Sequence, residues 1–412
     1  MIGLAAEAVQ CKERSEVQLQ QTAAVVHPFR VATFNVLADG LAQSGDFFKV
    51  PISCLMWEHR LPLILQEVRA ANADILCLQE LNHFDTLAAA LVPEGYSCFF
   101  RAKKPSPALK FGFPADGIAL FYRHSRFSAS PAPSGHCFAS MDGQPAAQGF
   151  VTALLHDKQS GRSLLVAATH LKAKAGVDNE QTRVHQACQL LQELENVQER
   201  QQLLQLQQQP AAESSSGASS SRGVPPAVLL CGDFNTTPDS ETVQVIMDHR
   251  LGLQSIWNVP WSKGSSAGSN SNGNGHSHGS SSNGTAAASA NGNGHRSSSH
   301  SNGNGKISNG NGAHPPDAAA SQAAGAAADD ESSSSSSPQP ATEGTEFTTW
   351  KFRSTGAVKR TIDYIWYSQQ QLAPVSRWRM LSESEIGPEG LPSKQYPSDH
   401  MCVTCQFGWL EQ

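Results

Sequence analysis

A short apolar run that ends in Gly-Asp-Phe-Asn constrains this chain more than any other stretch. Val228 to Cys231 are apolar, follow two prolines and are followed at once by Gly232. This pattern predicts a strand buried on both faces, although a buried helix of this length has the same signature. Gly232 permits a turn that brings Asp233 and Asn235 to the strand end. A carboxylate and an amide in this position suit a hard cation and a phosphoryl oxygen, and they equally suit an ordinary Asx turn.

Further polar clusters beside apolar runs favour the functional explanation. Each of them lies at one end of a strand-like segment of the chain. A core does not need carboxylates beside its strands, because buried charge is costly unless it is paired or bound to a metal. The repetition of this pattern therefore points to one shared site. The residues concerned are Asn35, Glu80, His170, Asp363, Asp399 and His400.

The composition limits how much of the chain can join one core. Residues 262–345 are rich in Ser, Gly, Asn, Ala and His, with few apolar side chains to offset the entropy of ordering. We interpret this segment as a disordered insertion and the Ser/Gly-rich stretch 208–224 as a disordered loop. Residues 1–28 are expected to form a disordered tail. Since polar clusters on both sides of the long insertion complete one site, residues 29–408 are predicted to form a single catalytic domain.

Charge, cysteine usage and hydropathy argue against several classes of protein. The formal net charge of −6 is unlike that of a protein with a broad surface for nucleic acid. The nine cysteines lie mostly in apolar runs, a pattern typical of reduced thiols in an intracellular protein. No stretch approaches the roughly 20 apolar residues that span a membrane. We expect a monomer in the cytoplasm, and the sequence does not exclude a mitochondrial or other organellar pool.

Strand-like and helical segments alternate through the first half of the chain. Residues 57–71 and 84–91 have the apolar spacing of helices, and residues 179–209 form a long helix with a Gln-rich end. The strand-like segments 151–156 and 164–169 flank a turn and are expected to pair. Short hairpins mixed with helices indicate two packed sheets flanked by helices.

Taken in chain order, the polar clusters resemble the endonuclease/exonuclease/phosphatase superfamily. The similarity rests on Asn35, Gln79-Glu80, Thr169-His170-Leu171, Gly232 to Asn235 and Ser398-Asp399-His400. Within the superfamily the chain is most similar to the nocturnin-type members, in the branch that also holds poly(A) deadenylases. The resemblance covers residues 30–260 and 346–408. It implies an α/β fold, a four-layer sandwich of two packed mixed β-sheets flanked by helices.

The resemblance also implies a metal site. Glu80 would bind Mg²⁺, with Mn²⁺ as a second option, because a carboxylate oxygen is a hard ligand. Asn35 would hold the metal or a phosphoryl oxygen of the substrate, and Asp399 would be a further ligand of the metal or its water. Asp116-Gly117 lies near the site in the superfamily, although this dipeptide is also typical of an ordinary turn.

The same resemblance assigns the catalytic roles. Asp233 would orient the attacking water as a base, with Asn235 fixing the water or the phosphate. His400 would hydrogen-bond a phosphoryl oxygen and would itself be oriented by Asp363. His170 would contact the phosphate. This arrangement is a base and its orienting partners without a covalent nucleophile.

Basic residues beside these motifs are candidates for substrate binding. They would serve as a phosphate pocket or as a solvated rim, and their position next to the motif strands favours the pocket. Which of two adjacent lysines enters the site is left open by the motif. At Lys174 related sequences have arginine, so a bidentate phosphate clamp would be lost there. The candidates are Lys103, Lys104, Lys172, Lys174 and Arg353.

The leading hypothesis from the resemblance is a Mg²⁺-dependent phosphatase that removes the 2′-phosphate of NADP⁺ or NADPH. The alternative is a 3′–5′ exoribonuclease that acts on poly(A) RNA with the same metal chemistry. A third hypothesis is an inactive adaptor, against which the complete set of polar residues argues. The width of the pocket separates a dinucleotide from a polymer, and the sequence does not give that width.

Overall fold

The computed structural model of this chain describes residues 9–21, 23–44, 47–207, 224–262, 346–353 and 356–411. The two segments predicted to be disordered, 208–224 and 262–345, lie outside the described residues except at Val224 and Ser262.

Two β-sheets form the centre of the fold. Among the described residues each sheet has seven strands. The first contains β1 (Glu16–Gln18), β2 (Val25–Asn35), β3 (Ile75–Leu81), β4 (Tyr96–Ala102), β5 (Gly117–Arg123), β15 (Leu372–Trp378) and β16 (Val403–Leu410), in the order β1-β15-β16-β2-β3-β5-β4. The second contains β6 (Phe127–Ala129), β7 (Ser134–Ala139), β8 (Pro145–Asp157), β9 (Ser163–His170), β10 (Ala227–Asp233), β11 (Leu253–Ser255) and β14 (Asp363–Ser368), in the order β11-β14-β10-β9-β8-β6 with β7 paired to β8. A separate hairpin pairs β12 (Thr349–Arg353) with β13 (Gly356–Arg360).

Helices accompany both sheets. The α-helices are α1 (Asp39–Ser44), α2 (Ile52–Leu55), α3 (Trp57–Ala71), α4 (Phe84–Leu91), α5 (Val177–Gln207), α6 (Glu241–Met247) and α7 (Glu383–Ile386). Two 3₁₀ helices span Pro107–Phe111 and Ile256–Asn258. The predicted helices at 57–71, 84–91 and 179–209 are confirmed; the last begins two residues earlier and is described as far as Gln207.

Alternate side chains of β10 enter two different apolar clusters. Leu229 and Cys231 join the cluster that contains both sheets, whereas Val228 and Leu230 join the cluster that contains the apolar residues of α5 and α6. All four side chains are fully buried. Burial on both faces explains why β10 is a continuous apolar run and not an alternating one. The predicted four-layer sandwich of two mixed sheets and flanking helices is confirmed.

A buried ion pair joins the two sheets at the end of β8. Arg126 donates to both carboxylate oxygens of Asp157, at 2.6 and 3.0 Å, and to the backbone carbonyls of His27 and Pro28 at 2.8 and 3.0 Å. The indole N–H of Trp409 also donates to Asp157, at 2.7 Å. Because His27, Pro28 and Trp409 belong to strands of the first sheet, this contact fixes the spacing of the two sheets.

The predicted tail of residues 1–28 is corrected by the structure from residue 9 onward. Residues 16–18 form β1, which pairs with β15, and the side chain of Arg14 is buried in an ion pair with Glu67 at 2.6 Å. The domain therefore begins well before residue 29. A three-residue strand is too short to produce a periodic apolar signal, so the sequence pattern missed it.

The structure bears on two sequence-based expectations, the lack of a membrane-spanning helix and the burial of the cysteines. No helix in the described part of the chain is both long and apolar enough to cross a bilayer. The nine cysteines of the chain are free thiols. Five of them are buried, but Cys137 and Cys188 are exposed, unlike the interior thiols expected from the apolar runs.

The Asp157→Asn variant tests the clamp between the sheets. Loss of the carboxylate leaves Arg126 buried without its counter-charge, which costs about 3 to 5 kcal/mol. Burial alone raises the pKa of Asp157, but the hydrogen bonds from Arg126, Ser160 and the other donors outweigh it and lower the pKa. The carboxylate therefore stabilises the fold above its unfolded pKa, about 3.9, and this contribution is lost as the pH falls through its folded pKa.

Urea unfolding at neutral and acidic pH measures both effects. The exposed Asp248→Asn variant is the control and should change the free energy of unfolding by less than about 0.5 kcal/mol. Equal, small changes for both variants would mean that the Asp157 ion pair does not hold the sheets together.

Candidate active site

The polar strand ends predicted from the sequence meet at one edge of the two sheets. β2 and β3 run parallel, as do β9 and β10, so their C-terminal ends coincide. His170 Nε2 lies 3.5 Å from Asp233 Oδ2 and 3.8 Å from Glu80 Oε1, which places both sheets around one imidazole. Glu80 and Asn235 have left-handed backbones, with φ of 55° and 53°. Strained non-glycine residues of this kind concentrate at functional sites.

Asp233 is held by an amide on each side. Its Oδ2 accepts a hydrogen bond from Asn35 Nδ2 at 3.0 Å, and its Oδ1 accepts one from the backbone N–H of Asn235 at 2.8 Å. Burial raises the pKa of Asp233, and the neighbouring carboxylate of Asp363 adds to this shift. His400, His170 and Asn35 oppose it. Asn35 Oδ1 accepts the N–H of Leu37 at 3.0 Å, and Asn235 Nδ2 donates to the carbonyl of Leu171 at 3.2 Å. The side-chain amide of Asn35 and the backbone N–H of Asn235 therefore orient the carboxylate of Asp233.

His400 is paired with Asp363 as predicted. Its Nδ1 lies 2.9 and 3.1 Å from the two carboxylate oxygens of Asp363, which also accepts a hydrogen bond from Thr348 Oγ1 at 2.6 Å. Its Nε2 faces Asp233 Oδ2 at 3.8 Å. Burial alone lowers the pKa of His400, but Asp363, Asp233 and Asp399 outweigh it and raise the pKa to about 10.

The charge state of His400 decides what this cluster can do. The ligand atoms of Asp233, Asp363 and His400 lie within 4.8 Å of one another, close enough for a metal site. An imidazolium has no free lone pair for a metal, however, because both ring nitrogens carry protons. The arrangement suits a fixed hydrogen-bond donor beside a carboxylate.

Glu80 and Asp399 form a second group of carboxylates. Glu80 Oε2 accepts the N–H of Ala38 at 3.1 Å, and burial, together with the charge of Asp399, raises the pKa of Glu80. Asp399 Oδ2 lies 2.8 Å from Lys351 Nζ, whereas Oδ1 is buried and has no hydrogen-bond partner within the described residues. Burial raises the pKa of Asp399, but Lys351 and His400 outweigh it and lower it to about 2.

A pocket beside His170 contains one of the two adjacent lysines. Lys103 lines this pocket with Asp116, and its Nζ lies 3.9 Å from Asp116 Oδ2. Lys104 is exposed and does not line the pocket. Burial lowers the pKa of His170, so this imidazole is neutral where His400 is charged. The geometry therefore favours Lys103 over Lys104, and the role of Lys103 in substrate binding stays a prediction.

The loop after β9 carries two more of the predicted basic residues. Arg183 Nη1 donates to the carbonyls of Lys172 and Lys174 at 2.9 and 2.7 Å, which fixes this loop. The Lys172 side chain is half-buried and that of Lys174 is exposed. Arg353 ends β12 and is half-buried. Their roles in substrate binding stay predictions.

Comparison with known proteins identifies the family of this chain. A model described as the endonuclease/exonuclease/phosphatase family matches residues 32–400. This chain belongs to that family. Nocturnin of Rattus norvegicus is 30% identical to it over 405 residues, which are 97% of this chain and 70% of the rat protein. The chain is thus a nocturnin-like member of the family, whose enzymes are hydrolases of phosphate esters.

Solved structures agree with the fold of this family. The catalytic domain of human nocturnin with a bound sulfate anion is 26% identical, with a TM-score of 0.57 over 96% of this chain and 97% of that chain. ANGEL2, a 2′,3′-cyclic phosphatase, matches with a TM-score of 0.60 at 18% identity over 97% of this chain and 99% of its own. The second comparison bears on the fold alone.

Enzymes of this family generally depend on a divalent metal, and the carboxylates of this chain fit one. Asp399 Oδ1 is buried without a hydrogen-bond partner among the described residues, and the raised pKa of Glu80 shows that the charge of this carboxylate is only partly compensated there. Oxygen ligands of this kind are those that Mg²⁺ prefers. Asn35 Oδ1 accepts one hydrogen bond and keeps a second lone pair, so its role as a ligand of the metal or contact of a phosphoryl oxygen stays a prediction.

Sequence reasoning missed a buried arginine that supports the family site from behind. Arg60 donates to the carbonyls of Val36 and Leu37, both at 2.8 Å, and to that of Pro397 at 3.3 Å, and it forms an ion pair with Asp39. It therefore ties the loop after Asn35 to the loop before Asp399. The available signal was an arginine on the apolar face of α3, in helical register with Ile64 and Glu67.

The Glu80→Gln variant tests the metal site without relying on turnover alone. Without metal it should melt at or above the wild-type temperature, because the removed charge faces Asp399. Mg²⁺ should raise the melting temperature of the wild type and hardly change that of the variant, which should also lose hydrolysis. Glu94→Gln, on an exposed ion pair, is the control. Undiminished Mg²⁺-dependent hydrolysis by Glu80→Gln would remove Glu80 from the site.

A double-mutant cycle tests whether His400 and Asp363 act as a unit. His400→Ala and Asp363→Asn should each lower kcat, and the double variant should lose less than the product of the two single losses. Steady-state kinetics of the four proteins measures the coupling. Fully multiplicative losses would show that the 2.9 Å contact has no catalytic role.

Proposed function

We propose that this chain is a Mg²⁺-dependent phosphatase that removes the 2′-phosphate of NADP⁺ and NADPH. The observation that carries the proposal is the small recess beside His170, where Lys103 offers positive charge next to the catalytic cluster. A compact dinucleotide with several charges needs a few converging cations, whereas a polymer needs an extended cationic track with stacking surfaces. The sulfate bound by the human nocturnin domain supports an anion site in this fold.

The side chains divide the work of hydrolysis between them. Asp233, held by Asn35 and Asn235, orients a water and accepts its proton as the oxygen attacks phosphorus. The Nε2–H of His400 donates to a phosphoryl oxygen, and Asp363 keeps that imidazole protonated and aligned. Mg²⁺ held by Glu80 and Asp399 would neutralise the charge of the phosphoryl oxygens. The bond from phosphorus to the 2′-oxygen breaks, and that oxygen takes up a proton from solvent and leaves as a hydroxyl, while Asp233 later returns the proton it accepted to solvent.

The second candidate function is 3′–5′ exonucleolytic cleavage of poly(A) RNA. Both reactions hydrolyse a phosphate ester and use the same metal chemistry, so the catalytic cluster does not separate the two substrates. The formal net charge of −6 favours the dinucleotide over RNA. A cytoplasmic location and a monomeric state are proposed on the sequence alone.

Paired lysine variants test the substrate pocket. Lys103→Ala should lower kcat/KM for NADPH by about 10- to 100-fold, because it removes a charge-assisted contact and leaves Asp116 unpaired. The adjacent Lys104→Ala variant is the control and should stay within twofold of the wild type. Release of inorganic phosphate with Mg²⁺ measures both. Oligo(A) shortening with NADPH left intact would instead establish the exoribonuclease.

A further inference from the structure

The side chain of Arg101 lies in the pocket beside His170 without a carboxylate partner. Its guanidinium contacts the carbonyl of Gln148 at 3.3 Å, that of Ala147 at 3.5 Å and the thiol of Cys137 at 3.1 Å. No ion pair to Arg101 occurs within the described ranges. The structural arginines Arg60 and Arg126 differ, since each is paired with a buried aspartate.

Two glycines on the neighbouring strands, which have no side chains, leave the space that this guanidinium occupies. Arg101 lies on β4 of the first sheet and reaches across to β7 and β8 of the second. A Cβ added at Gly149 would lie 2.6 Å from Arg101 Cζ and 2.7 Å from Nη2, and one at Gly135 would lie 3.1 Å from Arg101 Cβ. The same Cβ would come still closer to the backbone carbonyl oxygen of His136, so a larger residue at Gly149 would disturb both the strand pairing and the guanidinium.

The position of Arg101 relative to the catalytic cluster follows from the strand register. Gly149 on β8 is the register partner of His170 on β9. Neighbouring strands lie about 4.8 Å apart, so the guanidinium lies roughly one strand away from His170. The charge of Lys103 in the same pocket is offset by Asp116, whereas that of Arg101 is not.

We infer that Arg101 binds a second anionic group of the substrate, the diphosphate bridge of the dinucleotide, while the scissile phosphate lies at the catalytic cluster. This inference rests on the proposed function. The diphosphate is attached to the same ribose as the 2′-phosphate, which matches a cation one strand beyond His170. The planar fork of a guanidinium is suited to paired phosphate oxygens. Arg101 thus determines the preference for a dinucleotide over a nucleoside monophosphate.

Two substrates separate the roles of the site and of Arg101. NADP⁺ and adenosine 2′-phosphate share the scissile ester, but only NADP⁺ has the diphosphate. Arg101→Gln should lower kcat/KM for NADP⁺ by about 10- to 100-fold, mainly through KM, and should leave adenosine 2′-phosphate within twofold of the wild type. Arg101→Lys, which keeps the charge without the fork, should fall between the two.

A binding measurement and a matched control complete the experiment. NAD⁺, which has the diphosphate and no 2′-phosphate, should inhibit competitively, and Arg101→Gln should raise its inhibition constant about tenfold or more. Arg200→Gln removes an exposed arginine far along α5 and should change neither value. If Arg101→Gln melts well below the wild type, Arg101→Lys takes its place in the NAD⁺ measurement. A raised inhibition constant for Arg101→Lys then supports the role of Arg101, and an unchanged one overturns it.

The outcomes distinguish this inference from the proposed function. Equal losses for both substrates, or no loss for either, overturn the role of Arg101 while the phosphatase remains. If the wild-type protein hydrolyses neither substrate and shortens oligo(A), the proposed function and the inference fall together. A loss confined to NADP⁺, with weaker NAD⁺ inhibition, supports both.

Discussion

The hydrogen bond from Asn35 to Asp233 is the contact on which the site depends. It spans 3.0 Å between the end of β2 in the first sheet and the end of β10 in the second. Both side chains are buried, so the amide holds one carboxylate oxygen in a fixed direction. At the end of β8, Arg126 and Trp409 join the same two sheets through Asp157. Polar contacts therefore set the spacing of the sheets, and the apolar clusters fill the space between them.

The charges of the site stabilise one another and not the fold as a whole. Burial raises the pKa values of Glu80 and Asp233, while the carboxylates around His400 keep that imidazole charged. The raised pKa values of Glu80 and Asp233 show that their charged forms are costly in this buried site, whereas the raised pKa of His400 shows that its charged form is stabilised by the neighbouring carboxylates. A divalent cation and a phosphate ester together would balance the excess of charge, which is how a preorganised site favours its transition state.

The sequence was sufficient for the layers of the fold and for most of the catalytic cluster. Apolar runs such as 228–231 signal buried strands, and parallel strands necessarily bring their terminal residues together. Lys103 and Lys104 were inseparable in the sequence, because only strand pairing and the following turn decide which side chain enters the pocket. Arg60 and Lys351 were given no role because a charged residue does not reveal its distant partners in the sequence; the position of Arg60 on the apolar face of α3 indicates burial, but not the carbonyls and the carboxylate that it binds. The segment at 9–21 was missed because its buried residues are few and widely spaced.

The residues of the candidate site lie on both sides of the long insertion at 262–345 in the sequence. Asn35, Glu80, His170 and Asp233 precede it, whereas Asp363 and His400 follow it. The later stretch also supplies β16, which lies between β15 and β2 in the first sheet although it is the last described strand of the chain. A nascent chain that has not yet released β16 therefore lacks both an intact first sheet and the imidazolium. We therefore expect the closing of the first sheet and the completion of the site to depend on the same late step of synthesis.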